Sequence, residues 1–211
     1  MKRRTYRALD GLQECFNDKK NAIHSRLAEF GAIRPERYFY ELAYCLLTPQ
    51  SSAVHAAAAV ETLEKADFLH GQAEAAGVLR RKSSYIRFHN TKARRLAEAR
   101  TRHDEIVAAL SNGASGEELR IWLIRNVKGL GWKEASHFLR NIGYRNLAIL
   151  DRHILKNLRK HGVIRTIPAS LTPRKYLTIE RRFRKFATAI GITIDELDLL
   201  FWSMETGEIL K

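Results

Sequence analysis

Apolar residues recur three and four positions apart along most of the chain, the period of helices that bury one face. No stretch alternates apolar and polar residues convincingly enough to make a strand, and four prolines in 211 residues leave long runs unbroken. The expected fold class is all-α. Leu9, Leu12, Phe16, Ile23, Leu27 and Phe30 predict a long helix over about 5–30, interrupted along its length and ending near Gly31. Pro35 suits the first turn of a second helix that turns Phe39, Leu42, Ala43, Leu46 and Leu47 inward. Thr48-Pro49-Gln50-Ser51-Ser52 is a break, and an alanine-rich helix from Ala53 to Leu63 follows. A short helical connection is expected around 68–77. Asn90-Thr91 then caps a helix carrying Ala93, Leu96, Ala97 and, further on, Ile106, Val107 and Leu110. Two final helices are expected over about 174–190 and 194–204.

Between those elements lies the stretch 127–153. Leu119, Trp122, Leu123 and Val127 recur at helical spacing before Gly129-Leu130-Gly131, and Ala135, Phe138, Leu139 and Ile142 do so after it. The glycines therefore sit in a tight hairpin between packed helices, where they supply positive φ and no Cβ. The start of the second helix presents unpaired N–H groups and a positive dipole end, a combination that attracts phosphate. Lys133 falls in the first turn after this hairpin, where a cation is electrostatically disfavoured. Such a place disfavours the ammonium form, as an amine nucleophile requires, but a lysine there could equally contact phosphate from an exposed turn. Asp151 follows the apolar run Leu147-Ala148-Ile149-Leu150 and precedes a helix, so its simplest role is an N-cap. A carboxylate held there could also accept a proton and stabilise positive charge on a sugar.

Composition narrows the partners. The chain carries 37 Lys and Arg against 23 Asp and Glu, a net charge of +14 and a pI near 10.1, and the charge is spread along the sequence rather than confined to a tail. That pattern fits a folded basic face for a phosphate polyanion. Only Cys15 and Cys45 are present, which excludes a cysteine zinc module and a four-cysteine iron–sulfur cluster. Both are expected to be buried in apolar helices. No apolar run approaches the roughly 20 residues that span a bilayer. Nor does an apolar signal core follow Met1-Lys2-Arg3-Arg4. A cytoplasmic, DNA-associated location and no membrane partner are expected.

Gly129-Leu130-Gly131-Trp132-Lys133, followed eighteen residues after the lysine by Asp151 within Leu150-Asp151-Arg152-His153, resembles the helix-hairpin-helix DNA glycosylase superfamily that includes endonuclease III. The short length, the absence of cluster cysteines and the C-terminal run from Leu199 to Lys211 resemble one branch, the type-two 8-oxoguanine DNA glycosylases of archaea and some bacteria. The resemblance implies a single glycosylase unit over 1–211, made of two helical lobes that are not contiguous in sequence. The catalytic cleft would lie between the two lobes, and the helix-hairpin-helix would span about 117–142. It also implies a bifunctional glycosylase and apurinic/apyrimidinic lyase acting, as a monomer, on double-stranded DNA that contains 8-oxoguanine. Lys133 would attack the anomeric carbon and form a Schiff base, with Asp151 assisting.

Such chemistry needs an extruded nucleotide. By the resemblance, Gln50 lies near the flipped base, and the loop Arg87-Phe88-His89-Asn90-Thr91-Lys92 enters the duplex. An ordinary capping turn at Gln50, core packing of Phe88 and solvated loop positions for His89 and Asn90 remain as alternatives. Trp202 would stack on the base, and Lys211 would help distinguish 8-oxoguanine from guanine; the alternative is a core tryptophan with a frayed tail. Gly129 and Gly131 would grip the backbone. His153 would orient its helix or contact phosphate. No cofactor is implied beyond a potassium or sodium ion on hairpin carbonyls near Val127. A noncatalytic hairpin module that grips DNA, and a glycosylase for another damaged base, are the competing readings.

Overall fold

The computed structural model describes residues 6–209, so Lys211, and with it the expected lesion-reading lysine, lies outside the described residues. Eleven α-helices and two short 3-10 turns make up the described chain, and no strand occurs among the described residues. The helices divide between two compact units, one formed by residues 6–32 with 139–209 and the other by 33–138. No described helix is long and apolar enough to cross a membrane.

In the unit of residues 33–138, a 3-10 turn at Pro35–Arg37 leads into α2 (Tyr38–Leu47), which is buried from Phe39 to Leu47. A helix buried on every side has to be central, and α3 (Ala53–Lys65) and α5 (His89–Thr101) pack on it. Ala56 and Ala59, both wholly buried, give α3 the flat face that close packing needs. Between α3 and α5 only α4 (Ala75–Leu79) is α-helical, so the connection expected over 68–77 is mostly turn.

The helix expected to continue from Ala93 to Leu110 is broken in two. Arg102 leaves the helical region at φ −105°, ψ 14°, and α6 (His103–Ser111) restarts after it. Its guanidinium reaches both Glu105 and the Asn126 carbonyl oxygen, which compensates the broken ladder. Nor do Asn90 and Thr91 cap α5. Phe88 occupies the cap position in a left-handed conformation with no side-chain cap.

In the other unit, α1 (Leu9–Gly31) runs uninterrupted for 23 residues, contrary to the expected break. Its predicted first residue, Thr5, lies outside the described residues. Leu12, Phe16, Ile23 and Phe30 repeat at four and seven positions and form its buried stripe. Cys45 on α2 is buried as expected, but Cys15 on α1 is only half-buried because it falls at the edge of that stripe. The remaining helices of this unit are α9 (Arg152–Lys160), α10 (Pro173–Ile190) and α11 (Ile194–Thr206). Helix α11 packs on α1 and α9.

Gly143, at φ 99°, follows α8 (Trp132–Asn141), and a Cβ there would stand 3.3 Å from the Gly31 Cα. Two glycines thus let α1 and the end of α8 approach closely. After Gly143 the chain follows no regular secondary structure as far as Asp151, and side chains satisfy its backbone groups. The Asn146 N–H donates to Asp195 at 2.9 Å and the Ala148 N–H to buried Glu180 at 2.8 Å. Tyr176 donates its hydroxyl to the Ala148 carbonyl at 2.5 Å and accepts the Leu150 N–H at 3.3 Å. Burial pushes the Asp195 carboxyl up, against the opposing effects of the Asn146 N–H and of Arg145 and Arg140. This stitched segment delivers Asp151 to the start of α9.

Candidate active site

The hairpin begins with α7 (Gly116–Asn126), whose N-terminus is fixed by a reciprocal capping box between Ser115 and Glu118. Leu119 and Leu123 of α7 are buried, and so is Arg120, which is 1% exposed. The Arg120 guanidinium donates to Ser136 Oγ of α8 at 3.2 Å and lies 4.9 Å from the Trp132 ring centroid. That pair of contacts fixes the second helix against the first. Of the two glycines, only Gly129 is left-handed, at φ 99°, and a Cβ there would come within 2.6 Å of Arg95 Cδ. Gly131 does not adopt positive φ, which corrects the expectation for that position.

The N-terminus of α8 does not leave all its donors to a ligand. Glu134 Oε2 accepts the Gly131 N–H at 3.2 Å, while Glu134 Oε1 lies 3.2 Å from Lys133 Nζ. A carboxylate at a helix start complements the dipole, and this one also neutralises the ammonium beside it. Sequence reading found Lys133 but missed this counter-ion. Of the carbonyls nearby, that of Val127 accepts the Leu130 N–H at 3.2 Å, and that of Asn126 is covered by Arg102. A carbonyl oxygen has two lone pairs, so Val127 fits the oxygen-donor chemistry of a monovalent ion. Among the described residues no group of three or more His, Cys, Asp and Glu could hold a metal ion.

In the same unit the two loops singled out by the sequence carry its exposed tips. Phe88 is 51% exposed at φ 60°, with the Arg87 guanidinium carbon 5.0 Å from its ring centroid, so it is not a core residue. Gln50 is exposed at φ 56° in a turn closed by the Ser51 N–H and the Thr48 carbonyl at 3.0 Å. Ser52, not Gln50, caps α3. A left-handed conformation costs a residue with a Cβ on the order of 1–2 kcal/mol, so both tips must be held by their surroundings. His89 begins α5 and packs edge-on against Tyr85 at 5.7 Å, so it is not a solvated loop residue; Asn90 beside it is exposed.

Lys92, expected in the loop that enters the duplex, is instead 3% exposed within α5 and donates to the Leu47 carbonyl at 2.7 Å, the Pro49 carbonyl at 2.7 Å and Ser51 Oγ at 3.1 Å. Burial pushes its ammonium down to about 8, and the charges of Arg95 and Lys133 act in the same direction. The signal was present in the sequence, because Lys92, Leu96 and Ala99 share one buried stripe of α5.

The other unit holds Asp151. Its Oδ1 accepts the His153 and Ile154 N–H groups, each at 2.8 Å, and so caps α9 as expected. Oδ2 accepts the Trp202 indole N–H at 3.0 Å. The half-buried Trp202 is thus tied to Asp151 and is not a core tryptophan. His153 packs edge-on against the indole at 5.7 Å, and its Nδ1 lies 3.7 Å from Glu205. Lys156 pairs with the same carboxylate at 2.8 Å; its hydrogen bond holds Glu205 below the usual carboxylate range. A cavity of about 750 Å³ elsewhere in this unit is lined by Arg165, Arg174, Lys175 and Arg182, and includes none of the residues singled out above.

A lysine in the first turn after a glycine hairpin, an aspartate capping a later helix and an all-α framework define the class as a helix-hairpin-helix DNA glycosylase. The chain belongs to the 8-oxoguanine DNA glycosylase family, whose model matches residues 23–192. It is 38% identical to the 8-oxoguanine DNA glycosylase/AP lyase of Fusobacterium nucleatum over the whole of both chains. To the protein of that name from Korarchaeum cryptofilum it is 39% identical over 91% of each. The crystal structure of the 8-oxoguanine DNA glycosylase of Thermotoga maritima superposes with a TM-score of 0.85 at 34% identity, covering 96% of this chain and 98% of that one. The Methanocaldococcus jannaschii 8-oxoguanine glycosylase/lyase, solved in complex with 15mer DNA containing 8-oxoguanine, gives a TM-score of 0.85 at 33% identity over 96% and 99%.

Because Asp151 both caps α9 and carries a charge, two substitutions separate its roles. Asp151→Asn keeps an acceptor for the cap and should change stability by less than about 1 kcal/mol, while base excision falls at least a hundredfold. Asp151→Ala should cost on the order of 1–2 kcal/mol in addition, measured by denaturant unfolding. Equal loss of stability in both variants, with activity falling only in proportion, would leave Asp151 a cap alone.

Proposed function

We propose that this protein removes 8-oxoguanine from double-stranded DNA and then cleaves the strand 3′ to the resulting abasic site. The observation that carries this reading is Lys133 at the start of α8, directly after the family's hairpin. Its support is the family membership, relatives named as both glycosylase and AP lyase, and a similar chain solved with DNA containing the lesion.

In the first step the unprotonated amine of Lys133 forms a bond to C1′ as the bond from C1′ to the base breaks. The base leaves with that electron pair and takes up a proton. Opening of the sugar ring gives an imine between C1′ and Nζ, which acidifies the C2′ proton. Loss of that proton breaks the C3′–O bond and releases the 3′ phosphate. Asp151 is assigned proton transfer and stabilisation of the positive sugar, through the lone pairs left by the cap and the indole. Glu134 holds the Lys133 ammonium in place before reaction.

Gln50, Phe88, His89 and Asn90 meet the extruded nucleotide or the duplex it leaves, and Trp202 offers a face for the base. Gly129, Gly131 and His153 face the DNA backbone. A potassium or sodium ion on the Val127 carbonyl would support the hairpin without taking part in the reaction. The protein acts as a monomer in the cytoplasm in this reading.

Borohydride should trap wild-type protein covalently on DNA containing 8-oxoguanine, and Lys133→Gln should abolish the adduct. Equal trapping by the variant removes Lys133 from the mechanism. A wild-type chain that gives no adduct but binds DNA in a salt-sensitive manner would instead be a noncatalytic grip, and trapping confined to another damaged base would change the substrate. Deleting Lys211 should lower the preference for 8-oxoguanine over guanine at least tenfold, about the effect of one unpaired buried polar group. Unchanged discrimination would remove that residue from lesion reading.

A further inference from the structure

We propose that Lys92 and Ser51 form a positioning clamp that sets the Gln50 turn and the Phe88 tip as one preset unit. The inference rests on the reading that these two tips meet the extruded nucleotide, and it adds the residues that hold them there.

The bonds converge on two residues. The Lys92 side chain donates to the carbonyls of Leu47 and Pro49, each at 2.7 Å, and the second of these is the peptide oxygen immediately before Gln50. Its backbone N–H donates to the Phe88 carbonyl at 3.0 Å. One residue therefore grips the peptide units flanking both left-handed tips, Gln50 at φ 56° and Phe88 at φ 60°. Ser51 closes the circuit, since its Oγ accepts from Lys92 Nζ at 3.1 Å and from the Arg87 N–H at 3.1 Å. The residue after Gln50 is thus tied directly to the residue before Phe88.

A conformation that a side chain with a Cβ rarely adopts persists only where the surroundings over-determine it. Here that constraint comes from a lysine kept 3% exposed, an arrangement that burial opposes unless every donor is met. Nothing in a helix surface requires a lysine at this point of the buried stripe of α5, whose next members are Leu96 and Ala99. Three oxygen acceptors on the 47–51 turn give the charge its place. The consequence is mechanical: neither tip can change its backbone geometry without breaking bonds that the other shares. Pre-setting both tips removes an ordering step when the nucleotide leaves the stack.

Ser51→Ala removes the shared oxygen and leaves the Lys92 ammonium its two carbonyl acceptors. It should slow single-turnover excision of 8-oxoguanine from duplex DNA by roughly fivefold to twentyfold. Borohydride trapping on a preformed abasic site in single-stranded DNA, which needs no base extrusion, should stay within about twofold. Ser51→Thr, which keeps the hydroxyl, should restore excision, and Lys92→Met should exceed the effect of Ser51→Ala. Unchanged excision in both Ser51→Ala and Lys92→Met, or equal losses in excision and trapping, would overturn the clamp. Wild-type protein that excises nothing would defeat the enzymatic reading separately. The clamp has its own readout in that case: Ser51→Ala should speed amide hydrogen exchange at Arg87 at least about tenfold, and unchanged exchange would overturn it.

Discussion

An ammonium group at the start of an α-helix sits against the positive end of the dipole, and this chain accepts that placement at Lys133. What makes it tolerable is Glu134, which divides its carboxylate between the Lys133 ammonium and the Gly131 N–H. The proposed nucleophile is therefore held by the same group that finishes the hairpin. Behind it, buried Arg120 joins α7 to α8 through Ser136 and Trp132, so the turn that presents the amine stands on a packed pair of helices. A lysine on a flexible loop would have the same chemistry but no fixed point of attack, and orientation is a large part of what an enzyme contributes.

The same economy appears at the start of α9. One oxygen of Asp151 caps the helix and the other holds the Trp202 indole, so the proposed proton acceptor is placed by secondary structure on one side and by an aromatic ring on the other. The Gln50 turn and the Phe88 tip follow a different principle. They are exposed and left-handed, and their constraint comes from beneath, through Lys92 and Ser51. Helix starts hold Lys133 and Asp151, the two proposed reacting groups, whereas a buried charge holds the Gln50 and Phe88 loops.

The sequence carried the local half of this picture. Helical periodicity located most helices, and the glycine hairpin, Lys133 in its first turn and the Asp151 cap all follow from neighbours a few residues apart. Its errors were also local. Arg102 breaks a pattern that looked continuous because its compensation comes from the distant Asn126 carbonyl, and Phe88 takes the cap position expected of Asn90 or Thr91. What could not be read were pairings between residues far apart in the chain, such as Trp202 with Asp151, Lys92 with the 47–51 turn, or Glu180 and Tyr176 with the 148–150 backbone. Buried polar residues were the available clue. A lysine or glutamate on an apolar stripe has to meet partners somewhere, even though the sequence does not say where.

Lys133, and no other amine of this basic chain, should become bonded to the sugar. Wild-type protein reduced with borohydride on DNA containing 8-oxoguanine, digested with nuclease and trypsin and sequenced by mass spectrometry tests it directly. Modification at Lys133 blocks cleavage there, so the deoxyribose remnant should appear on a peptide running from Gly129 to Arg140. A remnant found instead on Lys92 or Lys128, with Lys133 unmodified and cleaved, would give the nucleophile's role to another amine.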